Sequence, residues 1–207
     1  MDKKSTLLTA ATILVILAAL GFGYSRMVDR APKSDLKPLE YLGQKAGEEA
    51  ARLLKNQGTV VAIWERFEGM PNPSVESQVK GFKTALARTK GLTLKESKEF
   101  VRTMSDDPRG WPAGQSTRFI SMAAGADAAV LFVSLPASLA KEDIDALKGS
   151  QTKFIIVGGN SPILSALIEQ KAVQAAIVNR IPPKPAGGGT ETPVQWFERA
   201  YIVVKPQ

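Results

Sequence analysis

The sequence predicts an α/β protein: a single doubly wound parallel-sheet lobe with an N-terminal transmembrane helix. The lobe is predicted by short apolar runs, TVVAIW (59–64), AAVLFVS (128–134) and KFIIVGG (153–159), and by the amphipathic segments that alternate with them. Continuous apolar strands separated by helices imply a parallel sheet covered on both faces. The transmembrane helix is predicted by LLTAATILVILAALGFGY, Leu7 to Tyr24, which carries no charge. As a helix this run would be about 27 Å long, near the thickness of a bilayer core.

In chain order, residues 1–25 are expected to form a membrane anchor or signal segment, 26–37 a tether, and 38–207 the lobe. The apolar run is longer than a usual signal-peptide core and lacks a clear A-x-A, which favours an uncleaved anchor, although Gly21-Phe22-Gly23 offers small residues at a cleavage spacing. Lys3 and Lys4 precede the run, whereas Arg26, Arg30, Lys33 and Lys37 follow it. Those later charges run against the positive-inside expectation for an exported domain.

Within the lobe, Leu39, Leu42, Ala46, Ala50, Leu53 and Leu54 share one face of a helix over 39–56, ending at Gly58. TVVAIW (59–64) follows as a strand. Ser74 is expected to cap a helix whose inward residues are Val75, Val79, Phe82 and Leu86, closed by Gly91. Leu92 to Val101 reads as a more exposed strand, and Pro112 to Gly125 as a helix with Phe119, Ile120 and Ala123 inward. Strand 128–134, a short helix from Lys141 to Lys148, strand 153–159, helix Pro162 to Glu169 and strand 174–180 complete the alternation. PPKPAGGG (182–189) reads as a loop or linker.

Composition removes several function classes. The chain has no Cys and no His, so it builds no thiolate or imidazole metal site, no Ser-His-Asp triad and no Cys nucleophile. The net charge is +7, spread along the chain. One basic concentration, Lys80, Lys83, Arg88, Lys90, Lys95 and Lys98, is opposed in its span only by Glu96. No stacking surface of aromatic residues interleaves with it, and it reads as a solvated helix face and turn rather than a nucleic-acid site.

In a doubly wound sheet, ligands bind at the loops after the strands' carboxyl ends. Here these are 65–73, 104–111, 134–136, 158–161 and 179–181. The fourth, GGNSP, has free N–H groups at a helix start, yet neither a Walker pattern nor G-x-G-x-x-G is present. Chemistry alone makes it a glycine turn capped by Asn160 or Ser161 ahead of Pro162.

Taken in order, GQKAGEEAARLLKNQGTVVAI (43–63), NPSVESQVKGFKTAL (72–86), GADAAVLFVS (125–134) and IIVGGNSPILSALIEQKAVQAAIVNR (155–180) resemble the C-terminal lobe of the type 1 periplasmic sugar-binding proteins, the ribose-binding and LacI-like family. The resemblance covers about residues 40–204. It implies a periplasmic-binding-protein-like lobe that in the family closes on a solute with a second lobe and serves an ABC transporter or chemoreceptor. It also implies export: a single-pass protein of the bacterial cytoplasmic membrane with its domain facing the periplasm or cell exterior. Where family members often carry an Arg, an Asn or Asp, and an Asp that bond sugar hydroxyls, this sequence has Gln78, Ser134 and Asn160, which bond without the charge. PPKPAGGG replaces the segment that in the family returns to the other lobe, with Tyr201 to Val204 expected as a final strand rejoining the sheet.

The expected ligand-contacting residues are Trp64, Glu65, Arg66, Asn72, Gln78, Asp107, Ser134, Asn160 and Ser161. Trp64 either stacks on a sugar face or ends a buried strand. Glu65, Arg66 and Glu68 are placed on a loop, and Trp196 and Phe197 pack over a sheet edge or surface. Asp106 and Asp107 are followed by Pro108-Arg109-Gly110 rather than further ligands, so no metal is expected, and no other cofactor. The leading functional expectation is a non-enzymatic module acting on a protein partner in the envelope or on its own copy. Weak binding of a sugar-like small solute, linked to transport or sensing, comes second. An enzyme or nucleotide binder on the same fold comes third, with no catalytic residue to name.

Overall fold

The computed structural model describes residues 35–103 and 114–206. The expected anchor, most of the tether, and Asp106 and Asp107 lie outside the described residues. Among those described, no helix is long and apolar enough to cross a membrane.

A compact unit begins at Leu36. Its elements are α1 (Lys37–Leu53), β1 (Gly58–Phe67), α2 (Pro73–Arg88), β2 (Leu92–Arg102), α3 (Gln115–Met122), β3 (Ala128–Phe132), α4 (Lys141–Gly149), β4 (Lys153–Val157), α5 (Ile163–Glu169), β5 (Ala175–Asn179), α6 (Pro193–Ala200) and β6 (Tyr201–Val204). They build one six-stranded sheet of order β2-β1-β3-β4-β5-β6. Strands β1 to β5 pair in parallel, and β6 returns antiparallel to β5 with Ile177 opposite Val203. The sheet is therefore mostly rather than wholly parallel.

Both faces are covered. Val61, Ile63, Leu131, Ile156 and Val178 point to one core, closed by Phe119 of α3, Ile144 and Leu147 of α4, and Leu167 and Ile168 of α5. Val60, Ala62, Val130, Ile155 and Ile177, one residue out of phase, point to the other, closed by α1, α2 and Phe197 of α6. Phe82 of α2 meets Phe132 edge-on at 5.6 Å. Burial on both faces is why β3 and β5 read as unbroken apolar runs.

Helices α1 and α2 meet almost backbone to backbone. A Cβ added at Gly43 would lie 1.7 Å from the carbonyl oxygen of Gln78, and one at Gly81 would lie 1.8 Å from that of Glu40. Only glycine allows that approach.

Three local expectations are corrected. β1 runs on to Phe67, so Glu65 and Arg66 belong to a strand. Helix α2 is capped by Asn72, whose Oδ1 accepts from the Val75 N–H at 3.2 Å, rather than by Ser74, because Pro73 already occupies the first turn. Neither Asn160 nor Ser161 caps α5, whose first flanking residue is Pro162. The tail folds into α6, where a Thr192–Gln195 capping box holds Trp196 and Phe197 against Tyr201 at 4.9 and 5.8 Å.

Half of the basic concentration has partners within the fold. Lys95 Nζ donates to the carbonyls of Ala124 and Gly125, and Lys98 Nζ to that of Met122. These lysines thus serve the carboxyl end of α3, where the last carbonyls and the helix dipole favour a cation. Lys80 pairs with Glu40 at 2.6 Å.

Candidate functional site: the carboxyl edge of the sheet

Strand order reverses between β1 and β3, since the chain steps outward to β2 and then returns past β1. A doubly wound sheet opens its crevice at such a switch point. Trp64 pairs with Phe132 there, and Glu65 comes next on β1.

Alternation along β1 carries Val61, Ile63 and Glu65 to one face. Glu65 is only 4% exposed, and Arg102, two residues beyond the buried Phe100 on β2, is 3% exposed. Arg102 Nη1 donates to Glu65 Oε1 at 2.9 Å, and the backbone N–H of Ser134, just past β3, donates to Glu65 Oε2 at 3.1 Å. One carboxylate thus ties three strand ends together. Arg102 also faces the Phe67 ring, 5.6 Å from its centroid.

Three further polar side chains at this edge have structural partners. Arg66 donates to Glu99 at 2.8 Å across the β1–β2 pair. Ser161 Oγ donates to the Pro136 carbonyl. Asp143, 4% exposed on α4, accepts from the N–H groups of Gly114 and Ser116 at 3.1 and 3.0 Å. It caps α3 from a neighbouring helix, since Gly114 has no side chain to do so.

Of the residues expected at the site, Glu65 and Ser134 are in direct contact. Trp64 is half-buried against the α1–α2 core. Asn72 caps α2, and Gln78 is half-buried on that helix with its carbonyl against Gly43. Asn160 is exposed and Ser161 half-buried, and both line a groove of about 820 Å³ beside α5. Asp107 lies outside the described residues.

Sequence reasoning missed Arg102, Asp143 and Arg180, which also lines that groove. For Arg102 a signal existed: it shares the inward phase of Phe100, as Glu65 shares that of Ile63. A charge on the buried phase of two adjacent strands points to a buried pair. Among the described residues no group of three or more acidic, His or Cys side chains is placed to hold a metal ion.

No family model matches the sequence. No curated protein matches it either. Solved structures do. A XylFII molecule matches with TM-score 0.53 at 13% identity, over 82% of this chain and 61% of its own. The fructose-binding periplasmic domain of a hybrid two-component system matches with TM-score 0.52 at 16% identity, over 82% and 57%. An ABC-transporter solute-binding protein from Burkholderia graminis, solved with D-arabinose, matches with TM-score 0.50 at 15% identity, over 80% and 59%. The chain thus spans less than two thirds of these relatives. At such identities the likeness is one of fold, and the lobe has the fold of the periplasmic sugar-binding proteins over part of their length.

Proposed function

We propose that this chain is a non-enzymatic, solute-binding-protein-like module that acts through protein interaction. It is tethered by its N-terminal helix to a bacterial cytoplasmic membrane, with the lobe facing the periplasm or cell exterior. The observation that carries the proposal is the Glu65 carboxylate at the switch point, occupied by Arg102 and by the Ser134 N–H. Both of its oxygens are engaged inside the fold, where a sugar-binding lobe needs acceptors facing outward. Asn72 and Ser161 are engaged likewise. With Glu65, Asn72 and Ser161 satisfied from within, the edge suits a flat protein contact, made by a second copy or an envelope partner, better than capture of a hydroxyl-rich solute.

A second proposed reading keeps weak binding of a sugar-like solute through Trp64, Gln78, Ser134 and Asn160. It is favoured by the exposure of Asn160 and by the sugars named for the structural relatives.

One experiment separates the two. The full chain in nanodiscs is titrated calorimetrically with D-arabinose and D-fructose, and its self-association is measured by light scattering in detergent. The first reading expects no saturable sugar binding and a dimer or a crosslinked envelope complex. A one-to-one sugar isotherm that Asn160→Ala abolishes would overturn it in favour of the second.

A further inference from the structure

The two faces of the sheet are covered unequally at the β6 end. On one face Tyr201 and Val203 lie beneath α6 and α1. On the other, β6 contributes Ile202 and Val204 beside Val178 of β5, and among the described residues no helix follows α5 across them. Ile202 is 39% exposed there. The result is the groove of about 820 Å³, floored by Val178, Ile202 and Val204 and walled by Leu164 and Ile168 of α5. Pockets of roughly 300–1,000 Å³ hold small organic ligands, with an apolar lining and a few polar groups to fix orientation.

Asn160, Ser161, Asn179 and Arg180 gather where β5 ends and α5 begins, while Ser165, Glu169 and Lys205 line the groove farther along. Arg180 is half-buried, and its Nε is shielded from solvent without a hydrogen-bond partner. Every other arginine just described at the carboxyl edge, Arg66 and Arg102, has a carboxylate partner. Nε itself is closed to a ligand, but the Arg180 side chain lines the groove and pairs with no carboxylate among the described residues, and the head group that best complements a half-buried guanidinium is a planar carboxylate. Glu169, the acid lining the groove, sits at the far end of α5, about 9 Å along the helix from its start. Lys205 is already paired with Glu49 at 2.7 Å.

We propose that this groove binds a small amphipathic monocarboxylate, its head at Arg180 beside Asn160 and Asn179 and its apolar body along Val178, Ile202 and Val204. The groove shares Asn160 with the sugar-binding alternative, but it is centred at the β5–β6 end, two strands from the β1–β3 switch point, and does not rest on the protein-interaction reading.

The test titrates the full chain in nanodiscs with 4-phenylbutyrate, which is water-soluble, against empty nanodiscs as blank. Its neutral analogue 4-phenylbutanamide is the second probe. The expected result is one-to-one saturable binding of the carboxylate, at least tenfold tighter than the amide. Arg180→Gln should erase that preference, and Ile202→Asp should weaken both probes. Melting curves of the variants serve as the folding control. A wild-type chain that gives no saturable binding above the blank overturns the proposal. So does an Arg180→Gln variant that melts like wild type and binds the carboxylate equally well.

Discussion

At the β1–β2 end of the sheet, α1 and α2 touch through glycine, Glu65 and Arg102 close the strand ends, and Lys95 and Lys98 serve the end of α3. At the β5–β6 end, an apolar floor lies partly open, Arg180 Nε has no acceptor, and Ile181 is 78% exposed. Both ends belong to one hydrogen-bonded sheet, so the difference lies in what covers it. A doubly wound fold places ligands by its switch point, where among the described residues Glu65, Arg102 and the Ser134 N–H engage one another, whereas the open apolar floor lies at the other end. Fold alone therefore assigns a ligand to neither end.

The sharpest way to break this contrast is at Glu65. If the carboxylate is a structural tie, Glu65→Ala strips Arg102 and the Ser134 N–H of a buried acceptor and should cost about 4 kcal/mol, the usual loss on breaking a buried pair. Urea unfolding of the lobe reads this directly. A variant as stable as wild type would return Glu65 to the ranks of ligand-facing acids and reopen the switch point.

The next effect is at the α1–α2 seam. A methyl group at Gly81 meets the Glu40 carbonyl at 1.8 Å, which is backbone and cannot rotate aside. Gly81→Ala should therefore push the helices apart and cost about 3 kcal/mol, the upper range for overpacking a tight contact. The melting temperature would fall by roughly 6–12 °C in a chain of this size.

Much of this architecture was legible beforehand, for identifiable reasons. TVVAIW, AAVLFV and FIIV are buried on both faces, so hydrophobicity alone exposes them, and the period of Val79, Phe82 and Leu86 fixes α2. What escaped depends on distant partners. Glu65 and Arg66 read as loop because charge normally marks solvent, and the arginine that neutralises Glu65 lies 37 residues away. Strand order, and hence the switch point, is decided by pairings that no local pattern contains. Helix α6 is different: its T-x-x-Q capping box was present at Thr192 and Gln195, but the preceding prolines and glycines masked it. Asn160 and Ser161 lie on the carboxyl edge, as the expected loop 158–161 implied, and loop 179–181 was expected there too, but Arg180 was not singled out because nothing local separates it from the other arginines.

A smaller effect belongs to the closed end. Asp127 Oδ2 accepts the Thr59 N–H at 2.7 Å and its hydroxyl at 2.9 Å, pinning the starts of β3 and β1 together. The Thr59 N–H, and then its hydroxyl, hold the Asp127 carboxyl below its ordinary range. A depressed folded value means that the contribution is complete above the ordinary carboxylate range and fades as pH falls towards the folded value. Asp127→Asn should thus lower the melting temperature slightly at pH 7, by about 1–2 °C for so exposed a group. The gap to wild type should start to narrow as pH falls below about 4 and go on narrowing towards the lower folded value. A gap that persists unchanged at pH 3 would mean that the carboxylate charge contributes nothing.

The smallest expected effect is the most direct comparison, because it repeats the glycine test at the other end. Gly159 follows β4 on the way to the groove, and a Cβ built there meets nothing within 4 Å. Its φ lies outside the left-handed range that penalises side chains. Gly159→Ala therefore meets neither the collision nor the backbone strain expected at Gly81, and only the unfolded chain feels it, through lost conformational freedom. That term favours the variant by about 0.4–1 kcal/mol, so its unfolding midpoint should equal or slightly exceed that of wild type. A loss comparable to that of Gly81→Ala would show that this corner is as tightly filled as the α1–α2 seam, and the contrast between the two ends of the sheet would fail.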